Sequence, residues 1–332
     1  MMKLSYPAYY KQFSCIAAAC PDSCCKEWIV DVDPESAALY RVLPGDLGDR
    51  LRAVLTDTDT GTVMEIEDGR CPMWRQDGLC RIQAELGHDA LCKTCREFPR
   101  LRHDYGSFAE LDLELSCPEA AMLILTAEDT LCQEEADGGD APDYDPAAMG
   151  ILLRSRQVAL ELLEDARYSP AQALAILMLY AHDVQEALDG WEPLPYDPDT
   201  LLADAGKYTA ARDPGAVLAF FRGLEILTDR WAALLDNAPR TVLLNDNVRP
   251  LARYFIRRYW LQAISDLDLV CRVKFLVAAC LVISAPVDDF IGTAQLFSKE
   301  IENNTDNVEA ILDGAYAAPA LTDQNLLSIL LG

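Results

Sequence analysis

The sequence predicts a mainly α-helical protein, in which a small, irregular, cysteine-rich metal-binding region with a short hairpin precedes an all-α domain. Ten of the twelve cysteines lie between Cys15 and Cys132. An acidic stretch rich in Gly and Pro follows, and apolar residues then recur at the spacing of amphipathic helices. The predicted organisation is a cysteine-rich domain over residues 1–133, an acidic linker over 134–147 and a helical domain over 148–332.

The N-terminal region is predicted to contain only short elements, which bury little apolar area by themselves. Metal ligation would supply the cross-links that a small core lacks. Proline positions and apolar patterning predict four elements. They are a helix from Pro34 to about Tyr40, a helix near 46–55, a strand over Val63–Ile66, and a helix near 89–97 that ends before Pro99.

The C-terminal region is predicted to be all-α because its apolar residues repeat every three or four positions. Pro170 and Pro214 stand near the starts of two such segments, where a missing N–H costs nothing. Further helices are predicted at about 249–262 and 267–284.

The charge balance excludes some classes of partner. Lys and Arg total 28 against 54 Asp and Glu, which gives a net charge of −26. Such a chain repels nucleic-acid phosphates and anionic lipid, and it attracts basic proteins. No stretch reaches the length of a membrane span and no signal peptide is evident, so we expect a cytoplasmic protein. Because cytosolic thiols are kept reduced, disulfides do not account for the cysteines.

The cysteines fall into three groups flanked by turn-forming residues, a pattern that indicates metal binding. Adjacent cysteines rarely point at one metal, so Cys24 and Cys25 are expected to serve two sites, or one of them only packs. A tight turn is predicted at 76–78, between the two cysteines of a knuckle. The groups are Cys15, Cys20, Cys24 and Cys25; Cys71 and Cys80; and Cys92, Cys95 and Cys117.

The spacing does not choose between metals, since four thiolates suit either zinc or a [4Fe–4S] cluster. His88 and His103 lie outside the cysteine spacing and are predicted to be surface residues. The three remaining cysteines are predicted to be small buried apolar thiols. These are Cys132, Cys271 and Cys280.

The same strings resemble the flagellin lysine-N-methylases, which are related to proteins with a zinc- or iron-chelating CxxCxxCC domain. The resemblance is dense over about residues 6–122. Its features are Phe13-x-Cys15, Cys20-x-x-x-Cys24-Cys25 with Trp28 and Asp31, Cys71-Pro72, Leu79-Cys80-Arg81-Ile82, Leu91 to Arg100 around Cys95, and Ser116-Cys117-Pro118-Glu119.

This resemblance implies methyl transfer from S-adenosylmethionine to lysine side chains of flagellin, dependent on a [4Fe–4S] cluster, with zinc as the alternative metal. Cys92 stands where relatives are expected to carry a small polar residue, so it is left out of the implied ligands. Those carried over are Cys15, Cys20, Cys24, Cys25, Cys71, Cys80, Cys95 and Cys117.

A basic patch beside the cysteines is the candidate cofactor site, because guanidinium groups bind carboxylates well. It consists of Arg96, Arg100, Arg102 and His103. We assign Arg96 and Arg100 to cofactor binding, with ion pairing to Glu97, Asp104 and Glu110 as the alternative. No catalytic residue is identified.

Two other functions fit the same cysteines. No Gly-x-Gly-x-x-Gly motif follows a strand, so the common nucleotide-binding loop is missing. A non-catalytic scaffold or metal-handling protein, or an electron-transfer protein, therefore remains an alternative to the methyltransferase.

Overall fold

The structure, a computed structural model, describes residues 1–128, 130–192, 195–208, 212–239, 242–286 and 289–332. The chain divides into two units, and each is described by itself. The first unit comprises Met1–Leu123 and Ala127–Gly139, and the second comprises Ile124–Thr126 and Asp140–Gly332. The ten cysteines up to Cys132 therefore all belong to the first unit.

The strands of the first unit form two sheets. In one, β1 lies between β6, to which it is parallel, and β7, to which it is antiparallel, and β5 extends the sheet beyond β6. The other is antiparallel with the order β2-β4-β3. The strands are β1 (Met2–Pro7), β2 (Val30–Val32), β3 (Leu55–Thr58), β4 (Gly61–Met64), β5 (Arg100–Asp104), β6 (Phe108–Leu113) and β7 (Leu131–Ala136).

The strands of the first unit extend beyond the short hairpin that the sequence predicts. The predicted strand at Val63–Ile66 is β4, which begins two residues earlier and forms a hairpin with β3. The larger sheet was missed, although β1 alternates buried Met2, Leu4 and Tyr6 with more exposed residues. That alternation is the ordinary signal of a half-buried strand.

The helices of the first unit are short. The two predicted near 34–40 and 46–55 are confirmed as α2 and α3. The one predicted near 89–97 is a 3₁₀ turn followed by a five-residue helix, which ends before Phe98 because a residue preceding proline disfavours the helical conformation. The helices are α1 (Tyr9–Gln12), α2 (Pro34–Val42), α3 (Gly45–Val54), α4 (Arg81–Leu86), α5 (Lys93–Glu97) and α6 (Pro118–Thr126).

The predicted acidic linker differs from the structure at its first residues. Residues 134–136 belong to β7, which pairs along its length with β1. Glu134 accepts hydrogen bonds from the Tyr6 hydroxyl at 2.9 Å and from Lys11 Nζ at 2.7 Å. An exposed edge strand tolerates acidic side chains when cations stand beside it. Residues 137–145 carry no helix or strand, and a helix begins at Pro146.

Among the described residues of the second unit, every regular element is a helix and none is a strand. A π-helix, Ser298–Glu302, directly follows α14. The helices are α7 (Pro146–Glu164), α8 (Pro170–Leu188), α9 (Pro198–Ala205), α10 (Pro214–Arg222), α11 (Asp229–Asn237), α12 (Val248–Tyr259), α13 (Val270–Ser284), α14 (Phe290–Phe297), α15 (Thr305–Ala317) and α16 (Asp323–Leu331). The mainly helical fold class is thus confirmed.

Proline begins several of these helices, as predicted for Pro170 and Pro214. Ser169 caps α8 through a capping box with Gln172, in which each side chain bonds the other's backbone N–H. Asp213 caps α10 by accepting from the Ala216 N–H at 3.0 Å. The pattern of a cap followed by proline therefore fixes where these helices start.

Helix α13 is the centre of the second unit, with fourteen consecutive residues buried from Val270 to Ile283. The prediction of a helix over 267–284 is confirmed except for its first turn. Over the described residues, no helix combines the length and apolarity that crossing a membrane requires.

Candidate functional site

A pocket in the first unit has six cysteines in its wall and a cavity volume of about 20 Å³. Apolar side chains complete the wall, among them Tyr40, Met64 and Met73, which are almost fully buried. Chain segments far apart in sequence therefore converge on one small space. The cysteines that line this pocket, called here the cysteine pocket, are Cys24, Cys25, Cys71, Cys80, Cys92 and Cys95.

Backbone hydrogen bonds position the segments that carry Cys25, Cys71 and Cys80. The Cys71 N–H donates to the carbonyl of Cys25 at 2.8 Å, which joins two segments 46 positions apart. The predicted turn at 76–78 is present, with Gly78 at φ +80° and its N–H donating to the Arg75 carbonyl at 3.0 Å. The Arg75 N–H donates to Leu79 at 2.9 Å and closes the loop, so Cys71 and Cys80 lie at its base.

Cys92 and Cys95 lie at the start of α5, which Asp33 anchors. The Asp33 carboxylate accepts from the Ser36 N–H at 3.0 Å, capping α2, and from the Lys93 N–H at 2.7 Å. The Thr94 hydroxyl donates to the carbonyl of Asp31 at 2.9 Å. One carboxylate therefore ties the segment with Cys92 and Cys95 to the start of α2.

Replacing Asp33 by alanine is expected to lower the free energy of unfolding by about 1 kcal/mol, the usual cost of a lost N-cap. The bond from Lys93, with that from Ser36, lowers the pKa of Asp33 to about 2. Because this pKa is below the ordinary value, the stabilisation is present above about pH 4 and is lost as pH falls toward 2. Urea denaturation at pH 7 and pH 3 measures both effects. Asp59→Ala, in the exposed β3–β4 turn, is the matched control, and equal losses in the two variants would contradict the anchor.

Neighbouring thiols shift one another's pKa values in the cysteine pocket. The Cys24 and Cys71 thiols beside Cys25 lower its pKa. The Cys95 thiol similarly lowers the pKa of Cys92. These neighbours and burial raise the pKa values of Cys24, Cys71 and Cys95. Cys25 and Cys92 are therefore the pocket positions that favour a thiolate, and a thiolate is the form that binds metal.

Three cysteines stand at helix N-termini. Cys80, Cys92 and Cys117 are the N-cap residues of α4, α5 and α6. Burial raises the pKa of Cys80, and that of Cys117 to about 11, but backbone N–H groups of the following helix lower both. A helix N-terminus favours negative charge, so these positions suit a thiolate.

The remaining predicted ligands form a second group. Cys15 and Cys20 are electrostatic neighbours of Cys117. Cys24, which lines the cysteine pocket, has Cys15 and Cys117 among its neighbours too. Of the eight cysteines predicted as ligands, five line the pocket, and Cys15, Cys20 and Cys117 do not.

Cys92 is the residue that sequence reasoning left out. Its side chain is buried, lines the cysteine pocket and bonds the Cys95 thiol. The Cys92-Lys93-Thr94-Cys95 spacing is that of a metal knuckle, and this signal favours including it.

The thiols suit a metal by their chemistry, although the side chains do not stand in coordinating positions. All twelve cysteines are free, and thiolates are the donors that zinc and iron–sulfur clusters share. In the part of the chain that the structure describes, no three His, Cys, Asp or Glu side chains form a group that could hold a metal ion. The ligand assignments therefore stay predictions.

The two arginines assigned to cofactor binding do not line the cysteine pocket. Arg96 donates to the carbonyl of Leu91 at 3.1 Å. Arg100 donates to the Phe13 carbonyl at 3.3 Å, and its guanidinium lies 5.0 Å from the centroid of the Phe13 ring. Both hold backbone segments beside the cysteines, and their cofactor role stays a prediction. The alternative of local ion pairing is seen at Arg102, which pairs with Asp104 at 2.7 Å.

The three cysteines predicted as apolar thiols are not in the wall of the pocket. Cys271 and Cys280 are buried in α13, as expected, whereas Cys132 is half-buried on β7.

Comparison with known proteins finds relatives that match part of the chain. No family model and no solved structure matches it. The flagellar biosynthetic protein FliU of Salmonella muenchen is 35% identical over 137 residues, which is 39% of this chain and 80% of that protein. This chain belongs to the FliU family. Lysine-N-methylases of Salmonella choleraesuis (strain SC-B67) and Salmonella typhimurium (strain LT2) match this FliU-family chain at the same identity over 137 residues. The matched region spans 34% of their length, so the resemblance to lysine-N-methylases is confirmed over only part of either protein.

Proposed function

We propose that this FliU-family protein transfers methyl groups from S-adenosylmethionine to lysine side chains of a protein substrate, flagellin, with a [4Fe–4S] cluster held by its cysteines. The observation that carries the proposal is the 35% identity to two proteins named lysine-N-methylase. The convergence of six thiols on one pocket supports the metal. Zinc is the alternative, because the same donors bind it.

The residues of the first unit fit this role in two ways. Cys25 and the Cys24 and Cys71 thiols beside it provide soft donors. A bound cluster would supply cross-links between short segments and a local charge beside the reacting groups. The acceptor must be a neutral amine, so a lysine with an ordinary pKa of about 10.4 has to lose its proton before methyl transfer. The net charge of −26 favours encounter with a lysine-bearing surface.

Label transfer tests the proposal directly. The full-length protein, purified without oxygen, is incubated with methyl-labelled S-adenosylmethionine and flagellin, and labelled residues are identified by mass spectrometry. We expect label on lysine ε-nitrogens and none on flagellin whose lysines have first been dimethylated chemically. A brown protein with bound iron and sulfide indicates the cluster, and a colourless protein with bound zinc indicates the alternative metal.

The alternatives give different results in the same preparation. Metal-loaded protein that labels no lysine on several flagellins contradicts methyl transfer and favours a scaffold or metal-handling role. If that protein is also reduced and reoxidised reversibly, the result favours electron transfer.

A further inference from the structure

A second cleft lies in the helical unit, far larger than the cysteine pocket, with a cavity volume of about 330 Å³. Side chains of α7, α8 and the segment after α8 line it. Sites for small organic ligands usually occupy about 300–1,000 Å³ and combine apolar walls with a few polar groups. The cleft therefore has the size of a ligand site, and no role assigned above uses it.

Three aromatic residues line this cleft: Tyr180, Trp191 and Tyr196. The rings of Tyr180 and Tyr196 have centroids 4.9 Å apart at an angle of 63°. The Trp191 side chain remains 69% exposed although it lines the cleft, so its ring is accessible to a ligand. Several aromatic rings around one space attract onium cations, whose charge interacts with the negative ring faces.

An aspartate and an arginine, Asp183 and Arg154, line the same cleft without forming an ion pair with each other. Among the described residues, neither the Asp183 carboxylate nor the Arg154 guanidinium has a hydrogen bond or an ion pair. Partial burial raises the pKa of Asp183, and the neighbouring carboxylate of Glu186 raises it further. A cation bound at Asp183 would offset that cost, and an anion bound at Arg154 would complete its pairing.

We infer that this cleft binds a small zwitterion whose onium cation lies against the aromatic rings and Asp183 and whose carboxylate pairs with Arg154. S-adenosylmethionine has this chemistry, with a sulfonium, an α-ammonium, an α-carboxylate and an adenine ring that stacks on aromatic side chains. The choice of this molecule rests on the proposed function. The class of ligand rests on the cleft itself.

Calorimetric titration of the full-length protein with S-adenosylmethionine and S-adenosylhomocysteine tests the inference, because the two differ in the sulfonium charge. We expect S-adenosylmethionine to bind roughly tenfold more tightly, the effect of one cation–aromatic interaction. Asp183→Asn and Tyr196→Ala should each weaken its binding by about tenfold, whereas Tyr196→Phe keeps the ring and the affinity. Arg154→Gln should weaken both ligands equally, since both carry the carboxylate.

Glu309→Gln is the matched control, because it removes one carboxylate charge from an exposed position of α15, outside the cleft wall. It should bind both ligands as the unaltered protein does, and circular dichroism confirms that every variant is folded. Unchanged binding in Asp183→Asn and Tyr196→Ala would overturn the site while label transfer to lysine still supports the proposed function. Equal binding of the two ligands to the unaltered protein would overturn the onium preference. No binding of S-adenosylmethionine at all would overturn both the inference and the proposed function.

Discussion

Replacing Cys25 by serine is expected to remove most of the bound metal and with it the transfer of label to lysine. The neighbouring Cys24 and Cys71 thiols lower the pKa of Cys25, which favours the metal-binding thiolate at this position. A serine hydroxyl does not ionise near neutral pH and is a poor ligand for soft metals. We expect metal affinity to fall by at least about tenfold. Removing a residue that only hydrogen-bonds a metal ligand has an effect of this size, and removing the ligand itself should cost at least as much. Metal per chain after gel filtration measures the effect.

Cys132→Ser is the matched control for this experiment. Cys132 is a half-buried thiol on β7, in the same unit but outside the pocket wall. It should retain full metal content. A Cys25→Ser protein with as much metal as the Cys132→Ser protein would show that Cys25 only packs against its neighbours. The prediction that Cys25 is a metal ligand would then be wrong.

Local patterns made much of the fold predictable from sequence. Proline after a capping residue marks the starts of α8 and α10, and a residue before proline marks the end of α5. The larger sheet was not predictable in this way, because β1 pairs with β7 about 130 positions later. The partner strand is acidic and stands at an edge, so its composition indicates a linker rather than a strand.

The candidate site also has one part that local sequence predicts and another that depends on long-range contacts. The turn between Cys71 and Cys80 follows from a short motif, and the structure confirms it. The grouping of thiols depends on long-range bonds, such as that from the Lys93 N–H to Asp33, which no local pattern encodes. Exclusion of Cys92 came from comparison with a family pattern, although its own spacing to Cys95 favoured metal binding.

No sequence motif indicates the cleft that Tyr180, Trp191 and Tyr196 line. Tyr180 lies within a stripe of apolar residues that predicts an ordinary helix, and its ring is largely buried. Trp191 and Tyr196 come from the segment after α8, so only the folded backbone brings the three rings together. Motif reasoning does not detect a site assembled from the faces of two helices, α7 and α8, and the segment after α8.

Removal of the metal is expected to unfold the first unit while leaving the second folded. The core around the cysteine pocket is small, and Cys71 and Cys92 are themselves members of it beside Tyr40, Leu51 and Met73. In such a core the free energy of metal binding contributes directly to folding. The second unit instead buries the whole of α13 within long helices and needs no metal for its core.

Limited trypsin digestion of protein treated with a chelator measures this difference. Cleavage after Arg70, Arg75 and Arg81, around the loop between Cys71 and Cys80, should accelerate by at least about tenfold, because local unfolding governs cleavage. A fragment containing α7 to α16 should survive, and restoring the metal should restore protection of the loop. Equal cleavage with and without chelator would mean that the apolar wall alone holds the pocket closed. The thiols would then be core residues, and the metal would contribute nothing to the stability of the first unit.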